Sequence, residues 1–210
     1  MDFETTTLFG GGALISTTRL LTAAHNWNSG GTIAQRMTAH LGSNTLGEGL
    51  QIVADKVIVH EDYNSGMGRN DLAMVFLPYA VGVTDRIQPV ALPFGQEANE
   101  DFVGAAVVAS GFGVTANGVT GRLNFANLQV ISNQQCIQEF GVIGMFVEPS
   151  NICTSGRGGT GICSGDSGGP LVTYRNGKAV LVGISSFRLG GCYGDAPSAY
   201  ARVTSFRSWI

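Results

Sequence analysis

The apolar residues of this 210-residue chain occur in short stretches that are separated by turns rich in glycine, asparagine and proline. Stretches rich in Val and Ile predict β-strands, because branched side chains fit a pleated, half-buried surface. Only residues 134–139 and 205–210 are candidates for helices, and both segments are short. The pattern therefore predicts an all-β protein with strands at residues 12–16, 19–22, 35–41, 51–60, 72–77, 103–109, 123–130, 151–154, 170–174, 179–185 and 199–203.

A polar segment divides these predicted strands into two groups of similar size. Residues 92–101 include Glu97, Glu100 and Asp101, and such a change in composition is typical of a linker. We therefore predict two β-domains, at residues 1–95 and 96–210.

Composition supports this picture and excludes several classes of function. Charged residues make up only 13% of the chain, against about 25% in an average domain, and the 31 glycines are roughly twice the usual share. A net charge of -3 provides no basic surface for nucleic acid, and no apolar run approaches the ~18 residues of a membrane span. We expect neither nucleic acid nor membrane as a partner.

The four cysteines indicate two disulfides. They show no Cys-x-x-Cys spacing and no nearby histidine, so zinc is a poorer interpretation. Spacing alone allows three connectivities. Disulfides favour an extracellular setting, although the first residues do not form a signal peptide, which implies either its removal or a fragment.

The segment 161–172 carries a candidate nucleophile, Ser167, among glycines that let backbone approach a substrate closely. Gly165 to Gly169 also satisfies the Gly-x-Ser-x-Gly pattern of α/β-hydrolases. That fold places its histidine after the serine, whereas His25, His40 and His60 all precede Ser167.

The available order is therefore His, Asp, Ser, with Asp71 between the histidines and the serine. Each residue also has a structural interpretation: Asp71 can cap a turn, and Ser167 can be a turn serine. Isolated histidines such as His40 and His60 are more often structural than catalytic.

Three motifs in this order resemble those of the chymotrypsin-like serine endopeptidases. They are Thr-Ala-Ala-His ending at His25, Asn-Asp-Leu-Ala around Asp71 and Gly-Asp-Ser-Gly-Gly-Pro around Ser167. The resemblance runs from about Phe9 to the end and, through residues 186–187 and 201–206, is similar to insect digestive enzymes. It implies two six-stranded antiparallel barrels, with the N-terminal strand truncated, a short C-terminal helix and the active site in the cleft between them.

The resemblance also implies roles for these residues. Ser167 is the expected nucleophile, His25 its general base and then acid, and Asp71 the carboxylate that orients the imidazole. The backbone N–H groups of Gly165 and Ser167 form the expected oxyanion hole, and Ser186 is expected to hydrogen-bond Asp71.

The same resemblance implies two disulfides, Cys136 with Cys153 and Cys163 with Cys192. A third bridge of the family is missing, because its positions correspond to Gly10 and Asn26. We expect no cofactor and no metal, since residues 44–49, where some relatives bind calcium, offer Glu48 as their only carboxylate.

In the family, the position of Gly161 forms the base of the primary specificity pocket, with Ser198 on the opposite wall. The resemblance implies that Ser186 and Phe187 also bind substrate. Neither Gly161 nor Ser198 is charged, so we predict a preference for Phe, Tyr, Leu or Met before the scissile bond. Asp195 is the one nearby acid. Arg188 stands where the family usually has a glycine at the pocket mouth, although a one-residue gap would move it.

Asp166 is the family's partner for a buried amino terminus of the type Ile-Val-Gly-Gly, which this sequence does not contain. A buried carboxylate without a partner is costly, so the sequence as written predicts at best a weak protease.

We expect a monomer that acts on protein or peptide substrates and binds protein inhibitors. A catalytically silent homologue that serves as a binding module and a general esterase are the alternatives.

Overall fold

The computed structural model describes residues 7–188 and 191–210. The truncated amino-terminal strand predicted from the sequence falls largely on residues 1–6, which lie outside the described part. Eight strands lie in the first 76 residues: β1 (Ala13–Ser16), β2 (Arg19–Thr22), β3 (Asn28–Ser29), β4 (Thr32–Ile33), β5 (Thr38–Leu41), β6 (Leu50–Val53), β7 (Lys56–Val59) and β8 (Ala73–Phe76).

In this half, β1, β2, β8 and β7 form an antiparallel four-stranded sheet in that order, while β5 pairs with β6 and β3 with β4. The described strands do not close into the second six-stranded barrel that the resemblance implies. Leu14, Ile52 and Val75 nevertheless share one apolar core, so the four-stranded sheet and the β5–β6 pair enclose a common interior.

One predicted strand, residues 51–60, is two strands in the structure. β6 pairs with β5, whereas β7 pairs with β8, and the change of partner occurs at Ala54 and Asp55. The N–H of Ala54 donates to Met37 O, and the N–H of Asp55 donates to Phe76 O. A continuous apolar run does not reveal such a change, because both segments need the same residue types.

The other half is the expected closed barrel of six antiparallel strands. These strands are β9 (Ala106–Gly111), β10 (Asn124–Ile131), β11 (Asn151–Thr154), β12 (Pro170–Arg175), β13 (Lys178–Arg188) and β14 (Ser198–Arg202). Fully buried Tyr200, Leu171 and Val182 fill its interior.

Helical structure is limited to short segments in the described part of the chain. The predicted helix at 134–139 is α1 (Asn133–Phe140), where Ser132 Oγ accepts a hydrogen bond from Gln135 N at 3.1 Å and caps the first turn. Four 3-10 helices occur at Ala24–Asn26, Gly95–Asn99, Gly141–Phe146 and Val203–Phe206. The last of these begins slightly before the predicted C-terminal helix.

A separate apolar cluster joins the two halves. Leu21 and Leu72 from the first half pack with Leu181, Ile184 and Phe206 from the second. Leu21 lies four residues before His25, and Leu72 directly follows Asp71. The cluster therefore holds the segments that carry His25 and Asp71 against β13.

Candidate active site

His25 and Asp71 are neighbours because their strands pair. His25 lies in the 3-10 helix that follows β2, and Asp71 lies just before β8, with Thr22 of β2 opposite Ala73 of β8. His25 Nδ1 is 2.7 Å from Asp71 Oδ2, and the His25 backbone N–H donates to Asp71 Oδ1 at 2.9 Å. These two contacts fix the orientation of the imidazole relative to the carboxylate.

The Asp71 carboxylate is buried, with 4% of its surface exposed. A third hydrogen bond comes from Ser186 Oγ on β13, which donates to Oδ2 at 2.6 Å. Three donors thus replace the water that burial removes from the carboxylate, and Ser186 ties it to the second half of the chain. The His25 side chain remains 29% exposed and faces the accessible side of this cluster.

Ser167 lies in a tight loop before β12. The N–H groups of Gly168 and Gly169 donate to Ser185 O and Asp166 O, at 2.7 and 2.9 Å. The Ser167 carbonyl accepts from Gly11 N at 2.7 Å and from the Asn26 side chain at 2.9 Å. Because Asn26 directly follows His25, this contact holds the serine loop against the histidine turn. Ser167 Oγ itself forms no hydrogen bond with a described residue, and such contacts often tighten only when substrate binds.

Two backbone donors of this loop are free. The N–H groups of Gly165 and Ser167 form no hydrogen bond with the described residues. Gly165 has a φ of +96°, a conformation that residues with a Cβ rarely adopt. These are the two donors that the resemblance expects in the oxyanion hole.

Asp166 points away from Ser167, into the base of the loop. Its carboxylate accepts hydrogen bonds from Gly113 N at 2.8 Å and from Cys163 N at 2.9 Å. Burial raises the pKa of this carboxyl, and the two backbone hydrogen bonds only partly oppose the increase. A cavity of about 200 Å³ lies beside it, lined in part by Gly113, Cys163 and Tyr193.

Both disulfides are present in the structure. Cys136 is bonded to Cys153, which joins α1 to β11, and Cys163 is bonded to Cys192, which joins the serine loop to the segment after β13.

Of the predicted pocket residues, Gly161 and Ser198 lie together and Arg188 joins them, whereas Ser186 bonds Asp71 and Phe187 packs on Phe140. Ser198 is fully buried and its Oγ accepts from Ile162 N at 3.2 Å, next to Gly161. Phe187 is half-buried and packs against Phe140, with ring centroids 5.9 Å apart. The Arg188 guanidinium and Ser198 Oγ both lie against Gly161, since a Cβ added to Gly161 would overlap Arg188 Nη1 and lie 2.5 Å from Ser198 Oγ.

The other two histidines lie outside this cluster. His40 is exposed on β5, and the His60 ring packs against Phe206 and Trp209, with centroids 5.3 and 5.2 Å apart.

Sequence reasoning missed the contribution of two residues. From the sequence, Asn26 was noted only because it replaces a cysteine of the missing disulfide. Arg188 was noted only because it replaces a glycine in an alignment that a one-residue gap would change. The one signal in the sequence for a special role of Asn26 and Arg188 was that each differs from the residue that the family usually has at that position.

Within the described ranges, no group of three or more His, Cys, Asp or Glu side chains is arranged to hold a metal ion. The described helices are also too short or too polar to cross a bilayer.

Comparison with known proteins defines the class. The family model described as Trypsin matches residues 1–210. The chain is 36% identical over 206 residues to brachyurin from Leptuca pugilator, covering 96% of this chain and 86% of that protein. It is 38% identical over 202 residues to a collagenase from Hypoderma lineatum, covering 95% and 74%.

A solved structure of HL collagenase superposes with a TM-score of 0.88 at 36% identity, covering 97% of this chain and 85% of the other. The chain therefore belongs to the trypsin family of chymotrypsin-like serine proteases, and it is a serine endopeptidase that acts on protein or peptide substrates.

Proposed function

We propose that His25, Asp71 and Ser167 are the catalytic residues of this endopeptidase. The observation that carries the proposal is the buried Asp71 carboxylate, which orients His25 through Nδ1 while a side chain next to His25 holds the Ser167 carbonyl. That arrangement leaves Nε2 of the imidazole to take a proton from the serine hydroxyl.

The chemistry follows from these positions. Ser167 Oγ attacks the carbonyl carbon of the scissile peptide bond as its proton passes to His25 Nε2. The oxyanion is held by the N–H groups of Gly165 and Ser167. His25 then gives the proton to the leaving amine as the C–N bond breaks, and a water molecule hydrolyses the acyl-enzyme by the same sequence.

The substrate preference forms a second part of the proposal. Gly161 and Ser198 provide no negative charge that could pair with Lys or Arg of a substrate. Because Gly161 and Ser198 are uncharged, we propose a preference for Phe, Tyr, Leu or Met before the scissile bond. Faster turnover of an arginyl than of a phenylalanyl peptide would contradict it.

The biological setting belongs to the same proposal. Two disulfides support an extracellular protein. We propose that it acts as a monomer, is open to protein inhibitors and binds its substrate in a cleft between domains at 1–95 and 96–210.

The test is active-site labelling combined with kinetics. A sulfonyl fluoride should modify Ser167, an activated ester should give a burst of product, and casein should be cleaved. Ser167→Ala should abolish labelling and burst without unfolding the protein. His25→Ala should cost about as much as Ser167→Ala, and the double variant little more, because the two residues act as a unit.

The outcomes separate the alternatives. A burst without casein cleavage would indicate a general esterase, and absence of both would indicate a silent homologue. Labelling of another residue in an active preparation would contradict the assignment of Ser167.

A further inference from the structure

Arg188 occupies the floor of the primary pocket. It is the last residue of β13 and pairs with Ser198 of β14 in the sheet register. Its Nη2 donates to the carbonyl of Gly194, and Nη1 lies against Gly161 and close to Ser198. The side chain thus fills the space that a glycine at position 161 leaves open.

The guanidinium is incompletely paired in this position. Nε and Nη1 are buried and have no hydrogen-bond partner among the described residues. Arg69 also has a buried Nε without a partner, but it forms a salt bridge with Glu148. Arg188 forms none in the described ranges. The nearby Asp195 carboxylate acts on the pKa of Arg188 in the direction opposite to burial, but its Oδ1 accepts from Gly158 N and Gly159 N at 2.9 and 3.2 Å and no salt bridge joins it to Arg188.

Two of the guanidinium nitrogens, Nε and Nη1, therefore lack a hydrogen-bond acceptor among the described residues. Burial lowers its pKa, yet an arginine side chain stays charged in proteins. Arginine is also the side chain best suited to carboxylates, because its planar donors match their geometry. An apolar side chain that entered the pocket would leave the two donors unpaired or would displace the guanidinium. A neutral amide offers a single acceptor oxygen, whereas a carboxylate offers two and a negative charge.

We propose that Arg188 is a specificity-determining residue that makes the primary pocket accept an acidic side chain before the scissile bond in preference to its neutral isostere. The proposal rests on the proposed catalytic function of Ser167. It adds acidic side chains to the apolar ones that Gly161 and Ser198 predict, and it leaves the proposed preference for Phe over Arg unchanged. Arg188 is partly exposed and its stem is flexible, so it can move within the pocket when a substrate side chain enters.

The test uses three peptide substrates that differ only in the residue before the scissile bond, which is Glu, Gln or Phe. Glu and Gln have the same size, so their ratio isolates the effect of charge. We expect the intact protein to show a kcat/KM about tenfold or more higher for the Glu than for the Gln peptide. In Arg188→Ala this ratio should fall to about one, and kcat/KM for the Phe peptide should rise because the floor is empty.

Arg207→Ala is the matched control, because Arg207 is exposed and its loss changes the net charge equally. It should leave the Glu to Gln ratio unchanged. If Arg207→Ala lowered the ratio as much as Arg188→Ala, the long-range field rather than the pocket would be responsible and the proposal would be wrong.

The ratio in the intact protein decides the proposal even if Arg188→Ala fails to fold. Equal rates for Glu and Gln, together with cleavage of the Phe peptide, would overturn the role of Arg188 and leave the proposed function standing. Failure to cleave all three peptides, combined with absence of an ester burst, would overturn the proposed function and this inference with it.

Discussion

Asn26 shows how a single residue can connect two catalytic segments. It stands where the resemblance places a cysteine of the missing third disulfide. Its side-chain amide donates to Ser167 O at 2.9 Å and to Thr22 Oγ1 at 3.0 Å, and Thr22 Oγ1 in turn donates to Gly11 O at 2.8 Å. A polar network therefore joins the histidine turn, the serine loop and the amino-terminal segment where the family uses a covalent bond.

We predict that Asn26→Ala lowers kcat about tenfold with little change in KM, because Asn26 positions the serine loop without touching substrate. In a Ser167→Ala background, which prevents self-digestion, it should lower the free energy of unfolding by about 1–3 kcal/mol. Steady-state kinetics and urea titrations measure the two effects.

Asn26→Asp makes the prediction sharper. It keeps the size of the side chain but turns a carboxylate oxygen toward the Ser167 carbonyl, so activity should fall at least as far as in Asn26→Ala. Asn28→Ala, two residues away and bonded only to Gly31 N through its side chain, is the control and should leave kcat unchanged. Full activity of Asn26→Asp would contradict the positioning role.

At the scale of elements, the two disulfides occupy different places. Cys136 of α1 and Cys153 of β11 are fully buried. Cys163 and Cys192 connect the two segments that flank the pocket, and Cys163 N also donates to Asp166 at 2.9 Å. Stability should depend on both bonds, whereas substrate selection should depend on one.

We predict that replacing either pair by alanine lowers the free energy of unfolding by about 3–4 kcal/mol, since chain entropy depends only weakly on loop length. The bonds close loops with sequence separations of 17 and 29 residues. Urea unfolding in the Ser167→Ala background measures the losses.

Only Cys163→Ala with Cys192→Ala should also change the relative kcat/KM values of the Glu, Gln and Phe peptides. The variant without Cys136 and Cys153 is its matched control. If both double variants altered the peptide ratios equally, the pocket would not depend on its own disulfide.

For the molecule as a whole, Asp166 links stability to pH. Because burial raises the pKa of this carboxyl, the folded protein binds the proton more tightly than the unfolded chain does. The contribution of Asp166 to the free energy of unfolding is therefore fully present below the pKa that Asp166 has in the unfolded chain. It is lost as pH rises through the higher pKa that Asp166 has in the folded protein.

We predict that the stability of the Ser167→Ala protein relative to a Ser167→Ala, Asp166→Asn variant decreases as pH rises above about 4, the ordinary pKa of an aspartate. The amide does not titrate, so the difference between the two unfolding free energies isolates Asp166. Asp85→Asn, at an exposed position, controls for the loss of one carboxylate. A difference that increased with pH would mean that Asp166 pairs with a cation in the folded protein.

Much of the fold follows from local patterns. Short apolar stretches bounded by glycine and proline predicted most of the strands, and residues 134–139, one of two candidate helices, lie in the one α-helix among the described residues. Such signals are visible because each depends on neighbours in sequence. The split of residues 51–60 was not visible, since it depends on which strands β6 and β7 meet.

For the candidate site, the sequence by itself determined the residue types and their order, because the glycines around Ser167 and the motifs around His25 and Asp71 are local. Only the tertiary structure decided where long or adaptable side chains point. Asn26 reaches Ser167, which is 141 positions away in sequence, and Arg188 turns into the pocket instead of toward solvent. Both outcomes depend on the space and the partners that distant segments provide, and no local pattern encodes these.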